Sequence, residues 1–305
     1  MTGYLLRRIL YLGPVLFAVA LITFLLMHAV PGGPWDHNKP FDPVTVANLN
    51  HKYGLDEPLW RQFVTFIGNA LHGDLGVSYA NQGRPVSDIL RSGFLTTATL
   101  GLLSFVVAMC LGLTLGVVAS LRQNSALDRA SSIIAAGAAS MPTFVLGVLL
   151  LFLFSIRLHW LPTGGWGSPE QAIMPVIALA ALPMAYIARI TRASMLEVLS
   201  EEYILTARSK GLRERVVLLR HAMRNALIPI LTVAGPIAVS LVTGSFIVES
   251  FFSIPGTGRL FVQGVFGRDY GVIMGATLFY AFLVAVANLA VDLLYAVVDP
   301  RIRYG

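Results

Sequence analysis

The 305-residue chain is 56% hydrophobic and 12% charged, with a net charge of +6 and a mean hydropathy of +0.72. That much apolar surface is more than a soluble fold of this length hides, so lipid is the solvent and a soluble enzyme is disfavoured. The single cysteine, Cys110, lies inside an apolar run, which excludes a disulfide framework and a cysteine metal site.

Six charge-free runs follow one another along the chain: 9–30, 95–121, 131–156, 171–188, 225–248 and 270–291. Each is long enough for a helix to cross a hydrocarbon core of about 30 Å, and one central charge would cost about 2.5–3.5 kcal/mol. The pattern predicts an all-α polytopic membrane protein with six transmembrane helices. Residues 1–30 form an N-terminal segment and first span, expected to be an uncleaved anchor because its apolar run exceeds a signal-peptide core. Residues 31–93 form a mixed-polarity loop domain that opens on PGGP, and residues 94–298 hold the other five spans. Residues 299–305 form a tail. Within the loop domain, Leu59, Phe63, Phe66, Ile67 and Ala70 recur at helical spacing, with Asp56 as cap and Pro58 in the first turn. That helix reads either as a cover on the protein's outer surface or as a docking face for an external partner.

Fourteen of the 22 Lys and Arg fall at the two termini and in the loops on the same side. The positive-inside rule then puts both termini and the loop 191–224 in the cytoplasm, and all four tryptophans outside, as in an interfacial belt. Basic charge placed this way follows membrane topology and calls for no nucleic acid. Prolines 142, 175, 183, 229 and 236 and glycines 112 and 116 lie inside spans, where small residues allow close packing and prolines kink.

Catalytic chemistry is missing. The three lysines, Lys39, Lys52 and Lys210, precede Pro40, Tyr53 and Gly211, so none completes a Walker A motif. The six histidines show no metal-ligand spacing, and no Gly-x-Ser-x-Gly elbow is present. Asp292, with Asn288 one turn before it, is an ionisable exception within the spans and is read as structural glue before any transport role. Glu249, at the end of the fifth run, joins them as a candidate structural or gating residue.

The long inner loop is where an external engine would attach. Between Thr206 and Pro229 it carries six Lys/Arg and one carboxylate. A helix is expected after Ser200, with Glu201 and Glu202 favourable at its start. Ala207 and Gly211, four apart, would give a smooth face ringed by Arg208, Lys210, Arg213 and Arg215. The same charges also read as a topology signal that meets anionic lipid, and both readings stay open on the residues alone.

The stretch TARSKG…RHAMRNALIP resembles the EAA-type loop of binding-protein-dependent ABC importer permeases. YGLDEPLWRQF, GDLGVSY, HWLPTGGW, ESFFSIPGTGRLFVQGVFGRDY and NLAVDLLYAVVDPRIRY extend the resemblance in order along nearly the whole chain, to the B-type permease of the peptide branch. Thr206-Ala207-Arg208 stands where the general motif reads Glu-Ala-Ala. The resemblance implies a type-1 ABC importer permease fold, multi-pass in a prokaryotic plasma membrane. It also implies a heterodimer with a second permease, two cytoplasmic ATPase subunits that bind ATP and Mg, and an external solute-binding protein. This chain would bind no cofactor and hydrolyse nothing. Tyr203, Thr206, Ala207, Arg208, Lys210, Gly211 and Arg213 would contact an ATPase. The expected solute is an oligopeptide or dipeptide; related permeases for nickel, glutathione and oligosaccharides keep the solute open. A stand-alone channel or secondary transporter, and a membrane scaffold, are the readings from other classes.

Overall fold

The computed structural model describes residues 2–35, 42–81 and 83–298, excepting the side chains of 2–7, 9 and 292–298. In chain order the helices are α1 (Thr2–Ala29), α2 (Pro43–Tyr53), α3 (Leu59–Leu71), α4 (Val86–Leu121), α5 (Ala126–Ser140) and α6 (Thr143–Leu150), which runs on as a π-helical Leu151–Arg157. Then come α7 (Pro169–Leu199), α8 (Glu202–Ser209) and α9 (Glu214–Val216), which passes through a π-helical Val217–Ala222 into α10 (Met223–Val242). The last are α11 (Phe246–Phe251), α12 (Thr257–Phe266) and α13 (Tyr270–Val298). Among the described residues the only β feature is an isolated antiparallel bridge, Val77–Pro85.

Five of the helical stretches are long and apolar enough to cross a membrane. The sixth expected span, 131–156, is not one straight helix. α5 and the α6 segment bend by 107° at Met141-Pro142. Pro142 sits at the N-cap of α6, supplies no amide hydrogen to the preceding turn and biases Met141 to its extended conformation (φ −95°, ψ 126°). Pro175, Pro183, Pro229 and Pro236 stay inside helices α7 and α10.

Local signals account for several helix starts. Asp42 accepts from the Val44 and Thr45 amides ahead of α2, and Gly54 (φ +66°) ends it. Ser168 and Gln171 form a capping box with Pro169 at the start of α7. For α3, the cap expected at Asp56 is not used. The helix starts at Leu59, with Pro58 at the N-cap and no side-chain cap.

The described residues fall into two compact units, Met1–Thr97 with Pro255–Gly305, and Ala98–Ile254, and α4 runs from one into the other. In the first unit α1 and α12 both pack on α13. Ala20, Phe24, Phe63 and Met274 make one core cluster; Val86, Ile89, Leu90, Val272 and Ala276 make another. Asp269 is buried and ties the unit together. It accepts from the Ser78 hydroxyl at 2.5 Å, from the Tyr79 and Ala80 amides at 3.0 and 3.1 Å, and from the Val272 amide at 3.2 Å, where it caps α13. Burial pushes the Tyr79 hydroxyl up to about 12, with the nearby Asp269 carboxylate adding to the shift. Trp35 is also buried. Its indole donates to Asn50 at 2.8 Å and its ring stacks on Tyr79, so it does not serve the interfacial belt expected of all four tryptophans.

In the second unit α7 is the hub, flanked by α5, α6 and α10. Gly112 and Gly116 of α4 meet α7 closely; a Cβ at Gly116 would lie 2.5 Å from the Cβ of Thr191, so only glycine fits there. Asp128 of α5 holds Arg192 of α7 with two hydrogen bonds, 2.7 and 2.9 Å, and also accepts from the Asn124 amide. Gly165 of the LPTGGW stretch donates its amide to the Phe252 carbonyl at 2.8 Å, and a Cβ on Gly164 would collide with that carbonyl.

Candidate functional site: the cytoplasm-predicted loop 199–224

The inner loop folds onto its own helices. Glu201 occupies the N-cap of α8, and Glu202 lies in the first turn. Ile204 and Ala207, three apart, turn inward onto Met195, Val217, Ala222 and Ala226. Ser194 donates to the Ala226 carbonyl at 3.1 Å, which holds the ends of α7 and α10 beside that cluster. The opposite face of α8 is then Glu202, Leu205, Thr206 and Ser209, all exposed. Thr206 spends its hydroxyl on the Glu202 carbonyl, 3.0 Å away.

The expected smooth face of Ala207 and Gly211 is therefore not formed. Ala207 is only 7% exposed and belongs to the protein's own core. Gly211 lies beyond the helix at φ +74°, with open space around the position of a Cβ. Its amide donates to the Arg208 carbonyl at 2.9 Å and the Leu212 amide reaches the Ala207 carbonyl at 3.4 Å. This is a left-handed helix stop, which explains the glycine by backbone conformation.

The remaining predicted residues flank α8. Tyr203 accepts from the Asn225 side-chain amide at 2.6 Å. Arg208 grips Glu214 through Nη2 at 2.7 Å and Nε at 3.3 Å, closing the turn between α8 and α9. That hydrogen bond holds the Arg208 guanidinium above its ordinary range and the Glu214 carboxyl below the usual carboxylate value. Lys210 and Arg213 are exposed on the turn. The sequence reading missed Leu205, 54% exposed at the centre of the outward face, and Leu212 and Val216, exposed on the turn and on α9. No sequence signal marks Leu205, because which side of α8 turns inward is set by its contacts with the ends of α7 and α10.

The other three candidates are not part of this site. Glu249 is fully buried in α11, which packs on α6 and α7. Asn288 is exposed on α13. The Asp292 side chain and the tail 299–305 lie outside the described residues. Among the described residues, no three His, Cys, Asp or Glu stand together as a metal site.

The fold is that of a polytopic helical membrane protein with a compact, partly apolar and strongly basic loop. The chain belongs to the binding-protein-dependent transport system inner membrane components: the family model of that description matches residues 112–304, and the model of its N-terminal part matches residues 1–101. It is therefore a multi-pass inner-membrane protein. It is 41% identical, with both chains fully covered, to the oligopeptide transport system permease protein OppB of Escherichia coli (strain K12). It is 40% identical to the dipeptide transport system permease protein DppB of Bacillus subtilis (strain 168), covering 99% of this chain and 98% of the other. Among solved structures it shares its fold with an inward-facing form of the MetNI methionine ABC transporter (TM-score 0.59, 21% identity, 69% of this chain and 96% of that one).

Proposed function

We propose that this chain is the permease subunit of an ATP-driven importer of oligopeptides or dipeptides, forming half of the translocation pathway. The observation that carries the reading is identity of about 40% to peptide permeases over essentially the whole of both chains. The family supplies the partners: a second permease, two cytoplasmic ATPase subunits that bind ATP and Mg, and a solute-binding protein outside. Both termini and the loop 199–224 face the cytoplasm, as the basic asymmetry favours. The outward face of α8, centred on Leu205 and Thr206, seats in an ATPase subunit, and Arg208, Lys210 and Arg213 form its basic rim. Closure of the ATPases on ATP moves this helix, and because α8 is packed on the ends of α7 and α10 through Ile204 and Ala207, the spans move with it. The chain has no Walker A lysine and does not hydrolyse ATP itself.

Uptake in a host lacking its own peptide permeases tests this. The chain, expressed with its partner subunits, restores ATP-dependent uptake of labelled di- and oligopeptides, and the purified chain alone hydrolyses no ATP. Restoration of nickel or glutathione uptake without peptide uptake would overturn the substrate; hydrolysis by the isolated chain would overturn the division of labour.

A further inference from the structure

Helix α3 presents three different faces. Phe63 points to α1, its ring 5.6 Å from Phe17 and 5.3 Å from Phe24, in a cluster that includes Ala20 and Met274. Gln62, Thr65 and Asn69, on a second face, line a cavity of about 300 Å³ shared with His28 and Tyr79. Trp60, Val64 and Leu71 form the third. At spacings of four and seven they make one row along the helix, and they are 69%, 59% and 82% exposed. One exposed leucine is ordinary, whereas a straight row of large apolar side chains needs a covering medium.

The height of α3 along the spans identifies that medium. Phe17 and Phe24 lie 12 and 5 residues before the end of α1 at Ala29. At about 1.5 Å per residue, Phe63 between them sits roughly 13 Å below that end. Met274 and Leu278 of the same cluster lie four and eight residues into α13, about 6 to 12 Å from its start. Both levels fall inside the charge-free runs. Phe17 is itself half exposed and touches Phe63, so the exposed apolar surface of α1 at Phe17 runs on to α3. Gln62 donates to the Leu55 and Glu57 carbonyls on another azimuth, whereas Arg61, three residues before Val64, borders the row and pairs with Glu57 at 3.3 Å.

We infer that α3 is an interfacial helix sunk into the leaflet on the side where α1 ends, with the Trp60–Val64–Leu71 row against lipid. Of the two roles open to this helix from sequence, lipid contact excludes protein docking on this row. The helix fixes the height of the following segment, through Leu75 to Tyr79, against the membrane.

The test uses the full chain, with the subunits that purify with it, in lipid nanodiscs. Cys110→Ser removes the only native thiol. Val64→Cys and, as a water-exposed control, Asp56→Cys are labelled singly with an NBD fluorophore. At position 64 the emission shifts to the blue and doxyl-labelled lipids quench it at least about threefold more than at position 56, while aqueous iodide quenches it less. A label at 64 quenched by iodide as strongly as at 56, and insensitive to doxyl lipids, overturns the inference. So does iodide access that disappears on adding the solute-binding protein, because the row would then be a protein dock. If either cysteine variant fails to fold, brominated lipids applied to the unmodified chain and to Trp60→Phe give the same answer. Lipid quenching falls on removing Trp60 if the row is in the leaflet and is unchanged if it is not.

Discussion

At residue scale, Gly211 and Leu205 separate conformation from contact. Gly211 is needed because the chain turns left-handed after α8, and a Cβ there meets nothing. Gly211→Ala is expected to cost about 1 kcal/mol from the positive φ alone and to leave uptake near its original level. Leu205→Glu places a carboxylate at the centre of the outward face. It is expected to lower recovery of the ATPase subunits and uptake about tenfold or more, the scale of one lost interface anchor. Both are read in membranes with equal permease levels; uptake lost in Gly211→Ala and kept in Leu205→Glu would move the contact to the turn. Asp269 is a second case. It gathers four hydrogen bonds from Ser78, Tyr79, Ala80 and Val272, so Asp269→Ala is expected to cost about 3 kcal/mol and to open the 77–81 segment to protease. Unchanged protease resistance would show that the bridge Val77–Pro85 and the surrounding aromatic rings hold that segment unaided. Neither the inward turn of Ala207 nor the role of Asp269 was legible beforehand. The first depends on which side of α8 meets α10, and the second joins residues about 190 positions apart.

At element scale, the apolar runs in the sequence located every long helix, because a lipid-exposed backbone leaves the helix as the only way to satisfy its hydrogen bonds. The break at Met141-Pro142 was harder to read. Composition is continuous across 131–156, and a proline inside a span is compatible with a mild kink or with a full bend. α5 is also tied to α7 by a charge pair outside the apolar run. Asp128 and Arg192, 64 residues apart, join α5 to α7 with two parallel hydrogen bonds. Asp128→Asn and Arg192→Gln are each expected to lower the melting temperature in detergent. The exchanged pair Asp128→Arg with Arg192→Asp recovers part of the loss, as a direct contact requires. Melting temperatures of the exchanged pair below the sum of the single effects would mean that Asp128 acts mainly by capping α5, through Asn124 and Ser125, and not by holding α7.

At the scale of the whole molecule, two of the stretches that carried the family resemblance each meet part of a third, ESFFSIPGTGRLFVQGVFGRDY. LPTGGW touches the FFS stretch through Gly165 and Phe252 in one unit, and GDLGVSY meets GRDY through Ser78, Tyr79 and Asp269 in the other. Their residue types follow from close backbone approach and buried hydrogen bonds, which is why the sequence carried the fold so fully while saying little of the solute. Orientation rests on charge. Fourteen of the 22 basic residues fall on one predicted side, and most of the others lie in the single segment 31–93, where positive charge bears less on topology. Reporters fused after residue 303 and inserted between 209 and 214 are expected to be active in the cytoplasm, and a reporter inserted between 45 and 56 to be active outside. The 209–214 insertion falls in the exposed turn between α8 and α9, and the outer reporter is placed after Gly54, the C-cap of α2, so that folding of the spans is preserved. The bent α5–α6 pair makes the experiment decisive. If that pair enters and leaves by the same face, the loop 199–224 and the N-terminus lie on opposite sides, and α8 loses access to any cytoplasmic ATPase. A cytoplasmic signal from both the 209–214 insertion and the C-terminus, with an external signal from the 45–56 insertion, requires the pair to cross once despite its 107° bend.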